Sequence, residues 1–269
     1  MPAERVQALA HLPGIRLLLV DDGSTDGTAL LLERICRAVP GRARLLRLER
    51  NLGKAEAVRH GLLEALAAGS DFVAYLDADL ATPGEEMIRI LNLLQGGRAQ
   101  VAMGSRVALL GAQIDRKPAR HYLGRFFATF ASLILRLPVY DTQCGAKAFR
   151  ATSLLAGALE EPFHARWAFD VELIGRLLVA GLTTTDFIEV PLRRWTDVEG
   201  SRLRPLHFPI LGWELLSILV ALNRLRWSAE PRRSSRRPLP PCPMSRRTSD
   251  SAAVPAVRRG PFPRGTGPP

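Results

Sequence analysis

The sequence predicts an α/β fold: a doubly wound, mostly parallel sheet with helices on both faces. Short apolar runs alternate with helix-period stretches, polar turns join them, and paired aspartates close two of the runs. Strands buried on both faces of a parallel sheet read as continuous apolar runs rather than as alternations.

The elements follow in order. Residues 15–20 form a buried strand, 21–27 a turn and 28–38 a helix. Residues 43–48 give a second strand. Across 54–68, Ala57, Val58, Leu62, Ala65 and Leu66 recur at helical spacing. Residues 72–76 are a third strand ending in Asp77, Ala78 and Asp79; Pro83 opens a helix to about residue 94, and 100–103 form a fourth strand.

The chain has 37 Lys and Arg against 26 Asp and Glu in 269 residues, a formal charge of +11. Residues 228–269 hold +7 of it, with nine arginines, two acidic residues and ten of the twenty prolines. Such a segment cannot bury enough surface to offset its chain entropy, so a disordered tail is expected there. Residues 1–227 then form one domain, near charge balance. Three scattered cysteines, Cys36, Cys144 and Cys242, fit neither a disulfide framework nor a zinc site. No apolar run is long enough to span a bilayer, and the start lacks the pattern of a secretory signal. A cytoplasmic setting is expected.

In a doubly wound sheet, ligands bind beyond the carboxyl ends of the strands, where both acidic clusters fall: Asp21 with Asp22, and Asp77 with Asp79. Carboxylates crowded into one crevice need neutralisation, which a divalent cation with a nucleotide diphosphate supplies. The same residues can instead cap helices and shape turns. Residues 22–33 also fit a calcium-loop spacing, although a strand rather than a helix precedes them and Leu30 replaces an oxygen donor. Neither a GKS-type phosphate loop nor a GxGxxG motif is present. The basic tail lacks the interleaved aromatics of a single-strand binder, so nucleic acid is not an expected partner.

Seven segments occur in a telling order: VDDGSTDGT at 20–28, NLGKA at 51–55, DADL at 77–80, GSR at 104–106, DTQCGAK at 141–147, RWAFDVEL at 166–173 and WTDVEGS at 195–201. Over about residues 15–227 the chain resembles a family 2 glycosyltransferase with the GT-A fold. Within that family it is most similar to dolichyl-phosphate beta-glucosyltransferase and bacterial polyprenyl-phosphate glycosyltransferases. Such enzymes begin with a strand that has no counterpart ahead of residue 15 here, and a start further upstream is expected.

The resemblance implies an inverting hexosyltransferase that uses a nucleotide sugar, UDP-glucose first and GDP-mannose as the alternative, and a polyprenyl or dolichyl phosphate acceptor. An inactive truncated relative acting only in binding is the other alternative. It implies that Asp21, Asp22, Ser24, Lys54 and Asp77 bind the nucleotide sugar, and that Asp79, with Asp77, holds Mg2+ or Mn2+. Asp79 and Arg106 are the catalytic candidates. Arg106, Gln143, Lys147, Asp170 and Glu172 are the acceptor candidates, with Arg120, Arg125 and Arg193 as further cations. Asp170 and Glu172 can equally form structural ion pairs, for example with Arg166.

Phe126, Phe127, Phe130, Leu133, Ile134 and Leu137 fall on one helical stripe flanked by Arg125 and Arg136, and residues 210–225 are mostly apolar. Both stretches suit helices lying in a membrane interface, and the stripe also suits packing on the sheet. With the lipid acceptor, this places the enzyme peripherally on the inner face of the membrane.

Overall fold

The structure, a computed structural model, describes residues 3–115, 118–197 and 208–234. Helix α1 (Ala3–Ala10) leads into β1 (Leu17–Asp21), α2 (Thr28–Ala38), β2 (Ala43–Arg47), α3 (Lys54–Ala67), β3 (Phe72–Leu76), α4 (Gly84–Gly96) and β4 (Val101–Ser105). The expected strand and helix order holds through β4, with ends shifted by a residue or two. The second half adds β5 (Gln113–Asp115), α5 (Pro118–Leu135), β6 (Ala146–Arg150), α6 (Ser153–Glu160), α7 (Phe169–Ala180), β7 (Phe187–Pro191), β8 (Arg194–Thr196) and α8 (Phe208–Ser234).

Helix ends follow local chemistry. Pro83 is the extended residue before α4, and Glu85 and Glu86 in the first turn complement the helix dipole. Thr152 caps α6 by accepting from the Leu155 N–H at 3.3 Å. Gly181, at φ 121°, closes α7 in a conformation disfavoured for residues with a side chain.

The sheet is mixed. β1 pairs with β2 in parallel, and β4 with β7 in parallel, while β6 runs antiparallel between β3 and β4. The larger sheet has the order β3-β6-β4-β7, and β5 pairs with β8 separately. Among the described residues, β1 and β3 each pair along one edge, and α3 packs on both. Gly61 permits that approach, since a Cβ there would lie 3.0 Å from the Val20 side chain.

The main core lies between this sheet and α3, α5, α6, α7 and α8, around Tyr75, Met103, Phe149, Phe169 and Ile218. A second core under α4 joins Ile90, Leu94, Ala102, Cys144, Ala148 and Trp195. Burying Leu- or Ile-sized side chains contributes about 1.5–3 kcal/mol each, which fixes the sheet and with it the strand ends. α8 runs to Ser234, beyond residue 227 where the tail was expected to begin; residues 235–269 lie outside the described residues, as does the 198–201 part of the last motif.

Candidate active site

The two acidic clusters sit at the carboxyl ends of β1 and β3. Asp22 commits both oxygens to the backbone of the next crossover, accepting from the Leu52 and Gly53 N–H groups at 2.8 Å each. It therefore braces the loop leading into α3. This arrangement also argues against the calcium-loop reading, because Asp22, its first expected ligand, has both oxygens on backbone N–H groups, and Glu33, its last, pairs with Arg37 along α2. Asp21 accepts from Ser24 N–H at 3.1 Å through Oδ1, while its buried Oδ2 has no hydrogen-bond partner and lies 3.4 Å from Arg47 Nε.

At the end of β3, Asp77 receives Lys54 Nζ at 2.7 Å and 2.8 Å on its two oxygens. Gly145 backs the carboxylate so closely that a Cβ there would overlap it. Asp79 is exposed and accepts from the Ala81 N–H at 3.0 Å. The turn between them is strained, since buried Leu80 adopts φ 52°, an uncommon state for a residue with a bulky side chain. Gly53, at φ 93°, precedes α3, whose N-terminus faces this region with the Arg166 guanidinium 3.7 Å from where a Gly53 Cβ would be. Arg166 was not expected to stand beside Lys54; the acidic partners considered for it, Asp170 and Glu172, pair instead with Lys147 and Arg176, each at 2.7 Å.

Arg106, the strongest cation candidate, makes a bidentate pair with Asp141, Nε to Oδ2 at 2.7 Å and Nη2 to Oδ1 at 2.8 Å. Its guanidinium also lies 5.5 Å from the Trp195 ring centre. Burial lowers its pKa, and Asp141 outweighs burial, so the net shift is upward. Glu189 on β7 in turn accepts from the N–H groups of Tyr140 and Asp141, which holds the 141–144 loop against that strand. Arg106 thus acts on this loop rather than as an uncommitted cation. The side-chain nitrogen of Gln143 is buried with no hydrogen-bond partner, as are the hydroxyls of Ser105 and Thr142.

Three acceptor candidates turn inward. Lys147 has no exposed surface; it pairs with Asp170 at 2.7 Å and donates to the Cys144 carbonyl at 2.7 Å. Asp170 also accepts from the Tyr75 hydroxyl. Burial first, then Asp170, raises the Tyr75 pKa well above its ordinary value. Glu172 accepts from the His164 and Ala165 N–H groups at 2.9 Å each and from Arg176. Lys147 and Glu172 therefore cannot meet a lipid phosphate directly: a side chain enclosed in the core has no surface to offer it. Arg125 lies 4.4 Å from the Tyr140 ring centre beside the 141–144 loop, and Arg193 is exposed on the far side of the sheet near α4. The side chain of Arg120 lies outside the described residues. A separate groove of about 740 Å³ between α4 and β8 contains none of the clustered aspartates.

Among the described residues, no three His, Cys, Asp or Glu side chains converge on one metal position. Asp77 and Asp79 still fit a magnesium-type ion, which takes one or two carboxylates and completes its shell with water and substrate phosphate. The Lys54 ammonium, seated on both Asp77 oxygens, already marks a cation position.

Residues 3–155 match the sequence profile of glycosyl transferase family 2. Over 196 residues the chain is 32% identical to the dolichyl-phosphate beta-glucosyltransferase of Dictyostelium discoideum, covering 70% of this chain and 57% of that protein. It is 27% identical over 208 residues to the polyprenol monophosphomannose synthase of Mycolicibacterium smegmatis, covering 75% and 77% respectively. Against the dolichyl-phosphate relatives from Dictyostelium discoideum and Trichomonas vaginalis, the chain spans 57% and 62% of their length. In fold it is similar to glucosyl-3-phosphoglycerate synthase from Mycobacterium tuberculosis, solved with Mn2+, UDP and its product, at a TM-score of 0.58 and 20% identity over 82% of this chain and 74% of that one. The mixed sheet is that of a GT-A-like fold, and with a profile matched over more than half of its length the chain is a member of glycosyl transferase family 2.

Proposed function

We propose that this chain is an inverting hexosyltransferase, moving glucose from UDP-glucose to a polyprenyl or dolichyl phosphate at a membrane surface. The convergence of Lys54, Asp77 and Asp79 with the α3 N-terminus carries the reading. Carboxylates beside positive groups suit a cation with a diphosphate, and the curated relatives of this chain include dolichyl-phosphate beta-glucosyltransferases, which supports the reading.

Each residue then has a task. The Asp21 carboxylate, reached by displacing the half-exposed Arg47 side chain from its Oδ2, takes a uracil imide N–H, and Ser24 shares that turn. Asp22 holds the 51–54 loop so that Lys54, Arg166 and the first turn of α3 meet the diphosphate. Asp79, with Asp77, would hold Mg2+ or Mn2+, which supplies Lewis-acid stabilisation to the departing nucleoside diphosphate. Arg106 and Asp141 fix the loop carrying Gln143, the acceptor-side residue whose enclosed amide nitrogen has no partner and would need this loop to open to meet a substrate oxygen. The acceptor phosphate needs no strong base, because its second pKa of about 6 leaves it largely ionised at neutral pH. It needs cations on its approach, and Arg125 and Arg166 are exposed on that side.

The membrane contact rests on α5 and α8, which touch each other. The α5 stripe divides: Phe127 and Ile134 pack on the core, while Phe126, Phe130 and Leu133 are exposed. On α8, Ile210, Trp213, Leu216, Val220 and Trp227 form one exposed seam. No described helix is long and apolar enough to cross a membrane. Together the seams suit an interfacial position.

The test is transfer of labelled sugar to polyprenyl phosphate with Mg2+ or Mn2+. UDP-glucose is the expected donor. The relative from Mycolicibacterium smegmatis favours GDP-mannose as the second reading, and transfer from GDP-mannose alone would replace the first. No transfer from either donor would overturn both.

A further inference from the structure

Lys54 is seated on both Asp77 oxygens at 2.7 Å and 2.8 Å. Burial lowers its pKa, and Asp77, Asp170 and Asp79 outweigh burial, so it lies above its ordinary value and stays charged near neutrality. The Gly145 backbone closes one side of the Asp77 carboxylate. The movable partner is Lys54: it is half-exposed and begins α3 immediately after Gly53. Asp22 and Glu214, by contrast, are held by backbone N–H groups that cannot leave without local unfolding.

An ammonium seated on both oxygens of a carboxylate competes with a divalent ion for them, because the two cations repel each other at that distance. We infer that Lys54 is a resident counter-cation competing with the metal for Asp77, so that the metal binds tightly only once a nucleotide diphosphate draws the ammonium away. The released ammonium finds new anions in the two phosphates beside the α3 N-terminus. This rests on the reading of Asp77 and Asp79 as metal ligands. Because coupling between two ligands is reciprocal, the metal tightens nucleotide binding by the factor that the nucleotide tightens metal binding.

The test is Mn2+ affinity of the full chain without nucleotide, read from the electron paramagnetic resonance signal of free Mn2+. Lys54→Met and Lys54→Gln are expected to bind Mn2+ about five- to tenfold more tightly than the unaltered chain. Arg98→Gln, an equal charge change at an exposed distant site, should leave the affinity as it was. Addition of UDP should tighten Mn2+ binding in the unaltered chain and do so much less in Lys54→Met. Unchanged or weaker Mn2+ binding in both Lys54 variants, with circular dichroism showing them folded, overturns the counter-cation. Asp77→Asn should remove Mn2+ binding, and its persistence overturns the site. If neither UDP nor GDP binds in the presence of Mn2+, the nucleotide reading itself fails, while the nucleotide-free comparison still decides whether Lys54 competes.

Discussion

Lys147 on β6 and Asp170 on α7 form an ion pair of 2.7 Å inside the main core, with Lys147 at 0% exposure. Lys147 is paired in register with Tyr75 on β3, and its ammonium lies 5.4 Å from the Tyr75 ring centre, so strand, helix and neighbouring strand meet at one buried charge pair. Removing one member leaves the other charged and unpaired in the core. Lys147→Met and Asp170→Asn should each cost about 3–5 kcal/mol. The double variant should recover much of that loss, and chemical denaturation of the three chains measures it.

Glu214 makes a second long-range tie. Although it interrupts the apolar α8 sequence, it accepts from the N–H groups of Arg166, Trp167 and Ala168, capping α7 from another helix. Hydrogen bonds to a charged acceptor contribute about 1.5–3 kcal/mol each. Glu214→Ala should destabilise the chain by at least about 2 kcal/mol and increase hydrogen exchange at residues 166–168. Protection unchanged at those amides would show that α7 does not depend on this cap.

These two ties explain what the sequence could not show. The strands through β4 were legible because each is an apolar run bounded by turn residues. β6 was not, because Ala-Lys-Ala-Phe-Arg reads as a polar segment until Asp170, distant in the chain, is known to lie over Lys147. The strand-end placement of Asp21, Asp77 and Asp79 was legible from the run that precedes each. Whether a carboxylate stays open or closes on backbone N–H groups depends on loop paths, so the commitments of Asp22 and Glu172 were not. Arg166 carried a weak signal, its place in the RWAFDVEL segment, but its position beside Gly53 arises only from tertiary packing.

Acid stability should report Glu172. Burial raises its pKa, and the Ala165 N–H, His164 and Arg176 outweigh burial, holding it below its ordinary value of 4.5. A depressed folded-state pKa means that its stabilisation is complete above 4.5 and is lost as pH falls through the lower folded value. Denaturation midpoints followed from neutral pH to about pH 3 should fall less steeply in Glu172→Gln than in the unaltered chain. Equal acid slopes would remove Glu172 as a contributor.

Gly145→Ala tests the Asp77 pocket from its other wall. The added Cβ would overlap the Asp77 carboxylate, while the Asp77 N–H donating to the Gly145 carbonyl at 2.9 Å ties this backbone to the end of β3. Asp77 must therefore turn away, which separates it from both Lys54 and Asp79. Sugar transfer and Mn2+ binding should each fall at least about tenfold, since a displacement near 1 Å can cost far more. Retention of both at normal levels would show that the observed Asp77 position is not the working one.

The exposed α5 and α8 seams predict how the chain meets lipid. Phe130 is partly exposed on α5 with its ring 4.8 Å from that of Phe126, and Trp213 is 71% exposed on α8. Neither fills the core, so substitution should leave thermal stability within about 0.5 kcal/mol. Each glutamate placed there must lose hydration to enter the interface and is repelled by anionic headgroups. Phe130→Glu and Trp213→Glu should therefore reduce co-flotation with anionic phospholipid vesicles, and the pair more than either alone. Transfer to a short, water-soluble prenyl phosphate should persist in both variants, because that acceptor reaches the site without the membrane. Undiminished vesicle binding in the double variant would place the lipid contact elsewhere on the surface.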